Sequence, residues 1–310
     1  TVTCIFKNAF SGCYGFTGIL DLSKYTMLRE IQEYSFQDCS GFEKLILPEN
    51  YLPKIDKYTF SGCSGFKGKL KIPLLVESID EGAFSKCSGF TGSLELHDKI
   101  DKIGQNAFYG CFGFNGTLKL PLNCASIEDY AFYGCNGFTG SLNIPDSMTK
   151  ISSYSFFMCS GFNESLNLSN NITSIDSYAF FGCSGFNGNL VLPNDLNIIS
   201  SYSFFGCNNF NGSLTIPSKV KKICQYAFYK CSGFNDSLNL SENLEHICDG
   251  SFSGCSQLKG LLEIPNSTLF INQSAFSECC GLSGSLILPS NLKVISQDSF
   301  YKCSGFNETL

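Results

Sequence analysis

A phenylalanine recurs at a fixed interval along the whole chain, and this periodicity constrains the fold more than any other feature. From Phe36 onward each step is 24 residues. Self-similarity at a fixed period of this size is typical of solenoids. The 310 residues would otherwise suggest about two globular domains. The sequence instead predicts a single solenoid over 1–310, with about 13 repeats of 24 residues, truncated at both ends. The anchor phenylalanines are Phe10, Phe36, Phe60, Phe84, Phe108, Phe132, Phe156, Phe180, Phe204, Phe228, Phe252, Phe276 and Phe300.

Each repeat carries the same columns of residue types around its anchor. Isoleucine precedes the anchor by five positions, cysteine follows it by three, and phenylalanine or leucine follows it by six. Then comes Gly-x-Leu-x-Leu/Ile and usually proline, as in 140–145. The alternation in this last piece predicts a short strand. The apolar spacing in Ile-x-x-x-Ala/Ser-Phe-x-x-Cys predicts a short helical or 3₁₀ turn with one inward face.

The pattern Leu-x-Ile-Pro-x-x-Met-x-x-Ile-x-x-x-Ser-Phe-x-x-Cys from Leu142 to Cys159 resembles the BspA-type leucine-rich repeat. The resemblance covers essentially the whole chain. It implies a curved, right-handed leucine-rich-repeat solenoid with short parallel β-strands on the concave side. Turns and short helical or 3₁₀ segments would lie on the convex side. The inserted Gly-Phe-x-Gly piece, which lengthens the repeat to 24 residues, looks most like the protist branch of the family.

The same resemblance implies a function without chemistry. Repeats of this family occur on surface proteins of mucosal bacteria and parasitic protists, where adhesion to host cells or matrix is proposed. The resemblance therefore implies a cell-surface or extracellular location and a protein partner. The family offers no shared catalytic residues to transfer to this chain.

Charge and apolar patterning exclude some partner classes. The formal net charge is −6, from 27 acidic and 21 basic residues, without a run of like charges. This balance argues against nucleic acid or an anionic membrane surface as a partner. The apolar stretches are far shorter than the roughly 20 residues that span a bilayer. Direct membrane insertion by this segment is not expected.

No pattern of catalytic or cofactor-binding residues is present in the sequence. The two histidines, His97 and His246, are far apart in sequence and occupy variable repeat positions. The sequence contains neither Gly-x-Gly-x-x-Gly nor Gly-Lys-Ser/Thr. Metal sites favour spacings such as Cys-x-x-Cys, whereas the close cysteines here are Cys279 and Cys280. We therefore expect no enzyme, no cofactor and no metal site.

The cysteine column predicts a ladder of reduced, buried thiols that act as small apolar core residues. Five cysteines lie outside the column, and Cys124 takes an aliphatic position, which predicts that it is also in the core. Cys224 and Cys248 share one phase in adjacent repeats. Since adjacent coils would bring their α-carbons to about 5 Å, this pair is a candidate disulfide.

Two aromatic columns form a candidate protein-binding stripe. They lie two residues before and one residue after the anchor in five consecutive repeats, and contiguous exposed aromatics often mark binding sites. The alternative is that these rings pack against one another and cover a thin layer of turns. The stripe consists of Tyr130, Tyr133, Tyr154, Phe157, Tyr178, Phe181, Tyr202, Phe205, Tyr226 and Tyr229.

A second candidate surface is the outward side of the predicted strands on the concave face. A column rich in serine and threonine precedes it, as at Ser93, Thr117 and Ser213. This polar surface either binds protein through many modest contacts or is a plain solvated sheet. Its residues are Lys71, Glu95, Lys119, Asn143, Asn167, Val191, Thr215, Asn239 and Glu263.

Asn-x-Ser/Thr acceptors occur ten times, and five of them share one repeat phase. Such acceptors suit a glycosylated surface protein, although asparagine and serine are also common turn residues. The five candidate glycosylation sites in phase are Asn115, Asn163, Asn211, Asn235 and Asn307.

Three functions are compatible with these features. The first is a non-enzymatic, protein-binding repeat module of a cell-surface protein that adheres to host cells or extracellular matrix. The second is a structural spacer or self-associating stalk. The third is an intracellular interaction scaffold, because unpaired cysteines suit a reducing cytosol.

Overall fold

The computed structural model describes residues 2–308, which form strands and turns and contain no helix. They therefore contain no helix long and apolar enough to cross a membrane. Contacts divide the chain into two units. The first unit runs to Met148 and includes Tyr154–Gly161, and the second comprises Thr149–Ser153 and the residues from Phe162 on. Each unit is a solenoid of parallel strands, and the two together have about 12 turns. One uninterrupted array over 1–310, its curvature and its hand stay predictions.

The isoleucine column forms a series of two-residue strands, which we call the isoleucine strands. Neighbouring strands pair in parallel with isoleucine opposite isoleucine, as in Ile79 and Ile103 or Ile223 and Ile247. The isoleucine side chains of this column are buried except that of Ile295, which is 48% exposed, and the residue before each of them is half-buried or exposed. The first unit contains Cys4–Ile5, Glu30–Ile31, Lys54–Ile55, Ser78–Ile79, Lys102–Ile103 and Ser126–Ile127. The second contains Lys150–Ile151, Ser174–Ile175, Ile198–Ile199, Lys222–Ile223, His246–Ile247, Phe270–Ile271 and Val294–Ile295.

A second series, the leucine strands, forms around the Gly-x-Leu-x-Leu/Ile segment. These strands are also parallel, as in the pairs Leu70–Leu94 and Leu214–Leu238. Their leucines are buried except half-buried Leu45 and exposed Leu261, and the residues that alternate with the buried leucines face outward. The first unit contains Gly18–Asp21, Phe42–Ile46, Leu70–Lys71, Leu94–Glu95, Gly116–Thr117, Phe138–Thr139 and Leu142–Asn143. The second contains Leu166–Asn167, Gly188–Asn189, Phe210–Asn211, Leu214–Thr215, Leu238–Asn239, Gly260–Glu263 and Leu282–Ile287.

The predicted helical or 3₁₀ segment is wrong for the described residues. Its isoleucine lies in a strand, and consecutive turns follow from there to the cysteine. The backbone is left-handed two positions before and often two positions after the anchor, as at Tyr58 (φ 51°) and Gly62 (φ 75°). A helix cannot continue through residues with positive φ, because they reverse the hand of the chain.

These turns are held together by hydrogen bonds between coils. In the coil around Phe60, the N–H groups of Tyr58, Phe60 and Gly62 donate to carbonyl oxygens of the next coil at 2.7–2.9 Å. The N–H groups between them close turns within their own coil, as from Ser61 to the Tyr58 oxygen at 3.2 Å. Stacking therefore satisfies backbone groups that a lone repeat would leave unpaired.

The core of each unit is built from stacked columns of identical side chains. Anchor phenylalanines of neighbouring coils stack with ring centroids 5.1–5.7 Å apart, as in Phe84, Phe108 and Phe132 or Phe180, Phe204 and Phe228. Except in the end coils, these rings are fully buried. Burial of large aromatic rings in favourable offset contacts supplies much of the stability of such a core.

Replacing Ser203 with alanine should stabilise the chain by about 1 kcal/mol. The Ser203 hydroxyl is fully buried and has no hydrogen-bond partner within the described chain. Alanine fills the same position in other coils, for example Ala179 and Ala227. Urea denaturation would measure the change, with Ser35→Ala as the control. The Ser35 hydroxyl donates to the carbonyl oxygens of Phe6 and Gln32, so its loss should destabilise. A destabilised Ser203→Ala variant would contradict the prediction.

Candidate protein-binding surfaces

The predicted sheet-face residues lie on the outward side of the leucine strands or in the equivalent positions of coils without one. All nine are exposed except Glu95, which is half-buried. In the first unit two of the three charged residues of this face are paired, and Lys119 forms no ion pair with another described residue. Lys71 lies 2.8 Å from Glu49, and Lys69 lies 2.8 Å from Glu95. The face around Lys71 and Glu95 therefore has little unneutralised charge for a partner.

The leucine strands of the second unit carry a groove of about 760 Å³, which we call the sheet groove. It crosses the coils that contain Leu238–Asn239, Gly260–Glu263 and Leu282–Ile287. Leu261 and Ile287 lie in it with 42% and 49% of their surface exposed. Exposed aliphatic side chains that share one concave surface are typical of a place where another molecule binds.

Two glutamates border the same groove. Glu242 and Glu263 both line it and are exposed, and neither forms an ion pair with another described residue. The sheet groove thus combines an apolar floor with negative charge that no lysine of the described chain neutralises.

Sequence reasoning identified Asn239 and Glu263 but missed Leu261 and Ile287. A signal for both was present. Leu261 replaces the serine or threonine of its column, and Ile287 continues the outward column after Glu263. The distinguishing feature was an aliphatic residue in a polar column. Val191, which is 69% exposed, is a third such exception and was identified.

The aromatic stripe is present in both units as two parallel stacks of half-buried rings. In the first unit Tyr130 stacks on Tyr154 at 4.6 Å and Tyr133 on Phe157 at 4.5 Å. In the second unit Tyr178, Tyr202 and Tyr226 form one stack at 4.5–5.2 Å. Phe181, Phe205 and Tyr229 form the other stack at 4.4–4.8 Å.

This stacking favours the structural interpretation of the stripe. The ring faces, which a partner would contact best, lie against neighbouring rings. The tyrosines two positions before the anchor also have positive φ, for example 61° at Tyr178 and 59° at Tyr202. Such a backbone conformation is costly for a bulky residue, and contact between neighbouring rings offsets that cost. The stripe remains a candidate binding surface, but a partner would contact only the edges of its rings.

The column cysteines from Cys39 to Cys279 are buried, as predicted, whereas Cys13 and Cys303 in the end coils are half-buried. The buried ones have a second role that the sequence did not reveal. Most of these thiols donate to the carbonyl oxygen of the anchor phenylalanine 27 residues earlier, as from Cys63 to Phe36 at 3.0 Å and from Cys231 to Phe204 at 3.0 Å. Burial raises the pKa of these thiols, to about 12 at Cys111 and Cys255. Cys124 is also fully buried, which confirms its predicted place in the core.

Cys224 and Cys248 differ from the column. Both are half-buried and free in the structure. They follow Ile223 and Ile247, which pair in register. The two cysteines therefore lie in adjacent coils at equivalent positions, as the candidate disulfide requires, and the bond between them stays a prediction.

The two histidines have structural surroundings. His97 takes the repeat position that proline fills in most coils, and its ring nitrogen Nε2 lies 2.7 Å from the Pro73 carbonyl oxygen. The His246 ring stacks on Phe270 at 4.9 Å. Among residues 2–308, no cluster of three or more histidine, cysteine or acidic side chains could hold a metal ion.

The five in-phase asparagines are all exposed. Asn115 and Asn235 immediately follow a buried phenylalanine and precede a leucine strand, and Asn211 ends the leucine strand Phe210–Asn211. Their side chains are therefore accessible for modification, and their occupancy stays a prediction.

The family comparison covers nearly all of the chain. The description "BspA type Leucine rich repeat region (6 copies)" matches residues 1–115, 77–188, 101–233 and 187–307. The chain belongs to this family. BspA-type repeats are typically non-enzymatic, and membership indicates a protein-binding repeat module. No curated protein matches this sequence significantly.

Solved structures of leucine-rich-repeat proteins share the fold. A leucine-rich repeat protein from Bacteroides ovatus is 24% identical, with a TM-score of 0.74, over 99% of this chain and 82% of that one. A leucine rich cell surface protein from Faecalibacterium prausnitzii is 21% identical, with a TM-score of 0.56, over 99% and 82%. Both sources are bacteria, so these relatives give no support to the protist branch suggested by the 24-residue repeat.

Proposed function

We propose that this chain is a binding module displayed at the cell surface and that it adheres to a host cell-surface or matrix protein through the sheet groove. The observation that carries the proposal is the juxtaposition of exposed Leu261 and Ile287 with the unpaired carboxylates of Glu242 and Glu263. The partner is a protein segment that presents aliphatic side chains next to lysine or arginine.

Physical complementarity supports this partner. An aliphatic side chain seated between Leu261 and Ile287 would remove apolar surface from water on both sides. A neighbouring ammonium or guanidinium group would meet the two glutamates, which mainly speeds association and selects against acidic partners.

Two further observations support surface display. The in-phase glycosylation candidates are exposed, and the relative from Faecalibacterium prausnitzii is described as a cell surface protein. The column thiols fit this location as well. A buried thiol that donates to a backbone carbonyl is protected from the oxidants of an extracellular environment.

Replacing the two aliphatic residues tests the proposal. The double variant Leu261→Ser, Ile287→Thr gives the groove residues that the same columns carry in other coils, such as Ser237 and Thr215. We expect it to weaken binding to epithelial cell monolayers, or to surfaces coated with fibronectin, laminin or collagen, by about 10- to 100-fold. Loss of a central apolar anchor has an effect of this size.

The matched control is Tyr202→Ala, Phe205→Ala in the aromatic stripe of the same unit, which should leave binding nearly unchanged. If instead the stripe variant loses binding and the groove variant keeps it, the stripe is the binding surface. Binding that neither variant changes contradicts the proposal, and a folded chain that binds none of these surfaces favours the spacer function.

A further inference from the structure

Cys224 and Cys248 occupy equivalent places in adjacent coils. Each follows an isoleucine strand, and their backbone N–H groups donate to the preceding isoleucine oxygens, Ile199 at 2.8 Å and Ile223 at 3.0 Å. Neighbouring parallel strands lie about 4.8 Å apart, which is within the range of α-carbon separations that a disulfide spans. The backbone therefore has disulfide spacing before any bond forms.

The position of these two cysteines is one that holds acids in other coils. The residue after the isoleucine is acidic at Asp80, Glu128 and Asp176. A lysine one coil earlier pairs with each of them. Lys54 lies 3.8 Å from Asp80, Lys102 lies 2.7 Å from Glu128, and Lys150 lies 2.7 Å from Asp176. The fold thus builds a site for a negative charge at this position.

Lys222 is the equivalent lysine of the cysteine pair. By register Lys222 faces Cys248 in the next coil, as Lys102 faces Glu128. It also lies two positions before Cys224 in its own coil, and the equivalent residues Lys54 and Asp56 form an ion pair at 2.9 Å. Lys222 is exposed and forms no ion pair with another described residue. A cation in this position favours the thiolate form of a neighbouring cysteine.

The two thiols respond differently to this environment. Contact with the Cys248 side chain, followed by Lys222, lowers the pKa of Cys224. Contact with Cys224 raises the pKa of Cys248. The buried column thiols have the opposite environment to Cys224, because burial raises their pKa and most of them donate to a carbonyl oxygen.

We infer that Cys224 and Cys248 form a reactive dithiol that exchanges with small disulfides such as oxidised glutathione, with Cys224 as the attacking sulfur and Cys248 as the resolving sulfur. The product is a disulfide between two adjacent coils. This inference is independent of the proposed binding function.

The exchange has two balanced steps. Cys224 releases its proton to solvent, and its thiolate attacks one sulfur of the small disulfide R–S–S–R. A mixed disulfide forms on Cys224, and one R–S⁻ leaves. The Cys248 thiol gives its proton to this R–S⁻, and its sulfur attacks Sγ of Cys224. The mixed disulfide breaks, and the second R–S⁻ leaves and takes a proton from solvent. Two protein thiols become one disulfide, and R–S–S–R is reduced to two R–SH.

The experiment treats the reduced, folded chain with oxidised glutathione and maps modified cysteines by mass spectrometry after rapid quenching. In the wild type we expect a peptide pair linked through Cys224 and Cys248. In Cys248→Ser we expect a mixed disulfide trapped on Cys224 that forms at least 10-fold faster than one on exposed Cys280. Cys280 is a matched reference because it is exposed and the equivalent positions of the adjacent coils, Ser256 and Ser304, carry no cysteine.

Two more variants test the roles. In the Cys224→Ser variant, Cys248 should be modified at least 10-fold more slowly than Cys224 is modified in the Cys248→Ser variant. Lys222→Gln should slow the trapping reaction about 3- to 10-fold. Initial rates in the wild type under limiting glutathione give the same ranking without any substitution, should a variant fail to fold.

Three outcomes would overturn the inference. The first is a Cys224 rate no greater than that of Cys280. The second is equal rates for Cys224 and Cys248 in the two single variants, which removes the assignment of attacking and resolving sulfurs. The third is a wild type that accumulates the mixed disulfide and never the linked pair.

Discussion

Replacing Phe108 with alanine should lower the free energy of unfolding by about 3–5 kcal/mol, the range for large aromatic residues removed from a packed core. The Phe108 ring is fully buried. It stacks between Phe84 and Phe132 at 5.6 and 5.3 Å and meets the Phe114 ring edge-on at 6.2 Å. The backbone ladder between coils cannot close over the vacated volume without breaking its hydrogen bonds. Urea denaturation followed by circular dichroism measures the loss.

Tyr109→Ala is the matched control for this prediction. Tyr109 is adjacent in sequence and half-buried, and its ring stacks only on Tyr133, at 4.7 Å. We expect a loss of about 1–2 kcal/mol, because one aromatic contact and partial burial are removed. Equal losses at the two positions would contradict the view that the inner phenylalanine column, and not the outer stripe, carries the stability.

Gly113→Ala should destabilise the chain by about 3 kcal/mol or more, although it adds a single methyl group. A Cβ atom at this position would lie 2.3 Å from the Phe90 carbonyl oxygen and 2.4 Å from the Ser88 carbonyl oxygen. Both atoms belong to the backbone of the preceding coil, so relief of the clash must shift a whole coil in a closely packed stack. The midpoint of thermal or urea denaturation reports the effect.

Gly15→Ala is the control at the same repeat position. Nothing lies within 4 Å of the Cβ that alanine would add there. We expect a change within about 0.5 kcal/mol, or a small gain because alanine restricts the unfolded chain. Asn209 and Gln257 occupy this column in two coils, so the expected cost concerns the coil of Gly113 and not every repeat. If Gly113→Ala behaves as Gly15→Ala does, the coils are packed less closely than the structure shows.

The core could be predicted from the sequence with little ambiguity. Phe180, Ile175 and Cys183 come from three separate columns, and all are buried as their periodicity indicated. Thirteen copies of one pattern leave a single way to bury every column, which is to stack equivalent positions. The leucine strands followed from alternation in the same way.

The turns were predicted wrongly for an identifiable reason. Apolar spacing in the segment before each cysteine fits a helical turn as well as it fits the observed chain of turns. The deciding feature is positive φ at residues such as Tyr154 and Met158. Neither tyrosine nor methionine favours that conformation by itself, so local propensity carries no signal for it. Hydrogen bonds to the neighbouring coil impose it.

The sheet groove and the cysteine pair could also be predicted from the sequence only in part. Leu261 and Ile287 were visible as aliphatic exceptions in polar columns, but their shared groove with Glu242 depends on three coils lying side by side. The shared phase of Cys224 and Cys248 was visible too, whereas the position of Lys222 beside them depends on the strand register.

The sequence by itself determined the repeat length, the buried columns and membership of a stacked parallel-strand family, because periodic apolar residues admit one mode of burial. The tertiary structure alone decided the backbone conformation of the turns, the carbonyl partner of each buried thiol and the charges that surround each exposed site. These features depend on contacts between residues about 24 positions apart, and such contacts exist only after the coils have stacked.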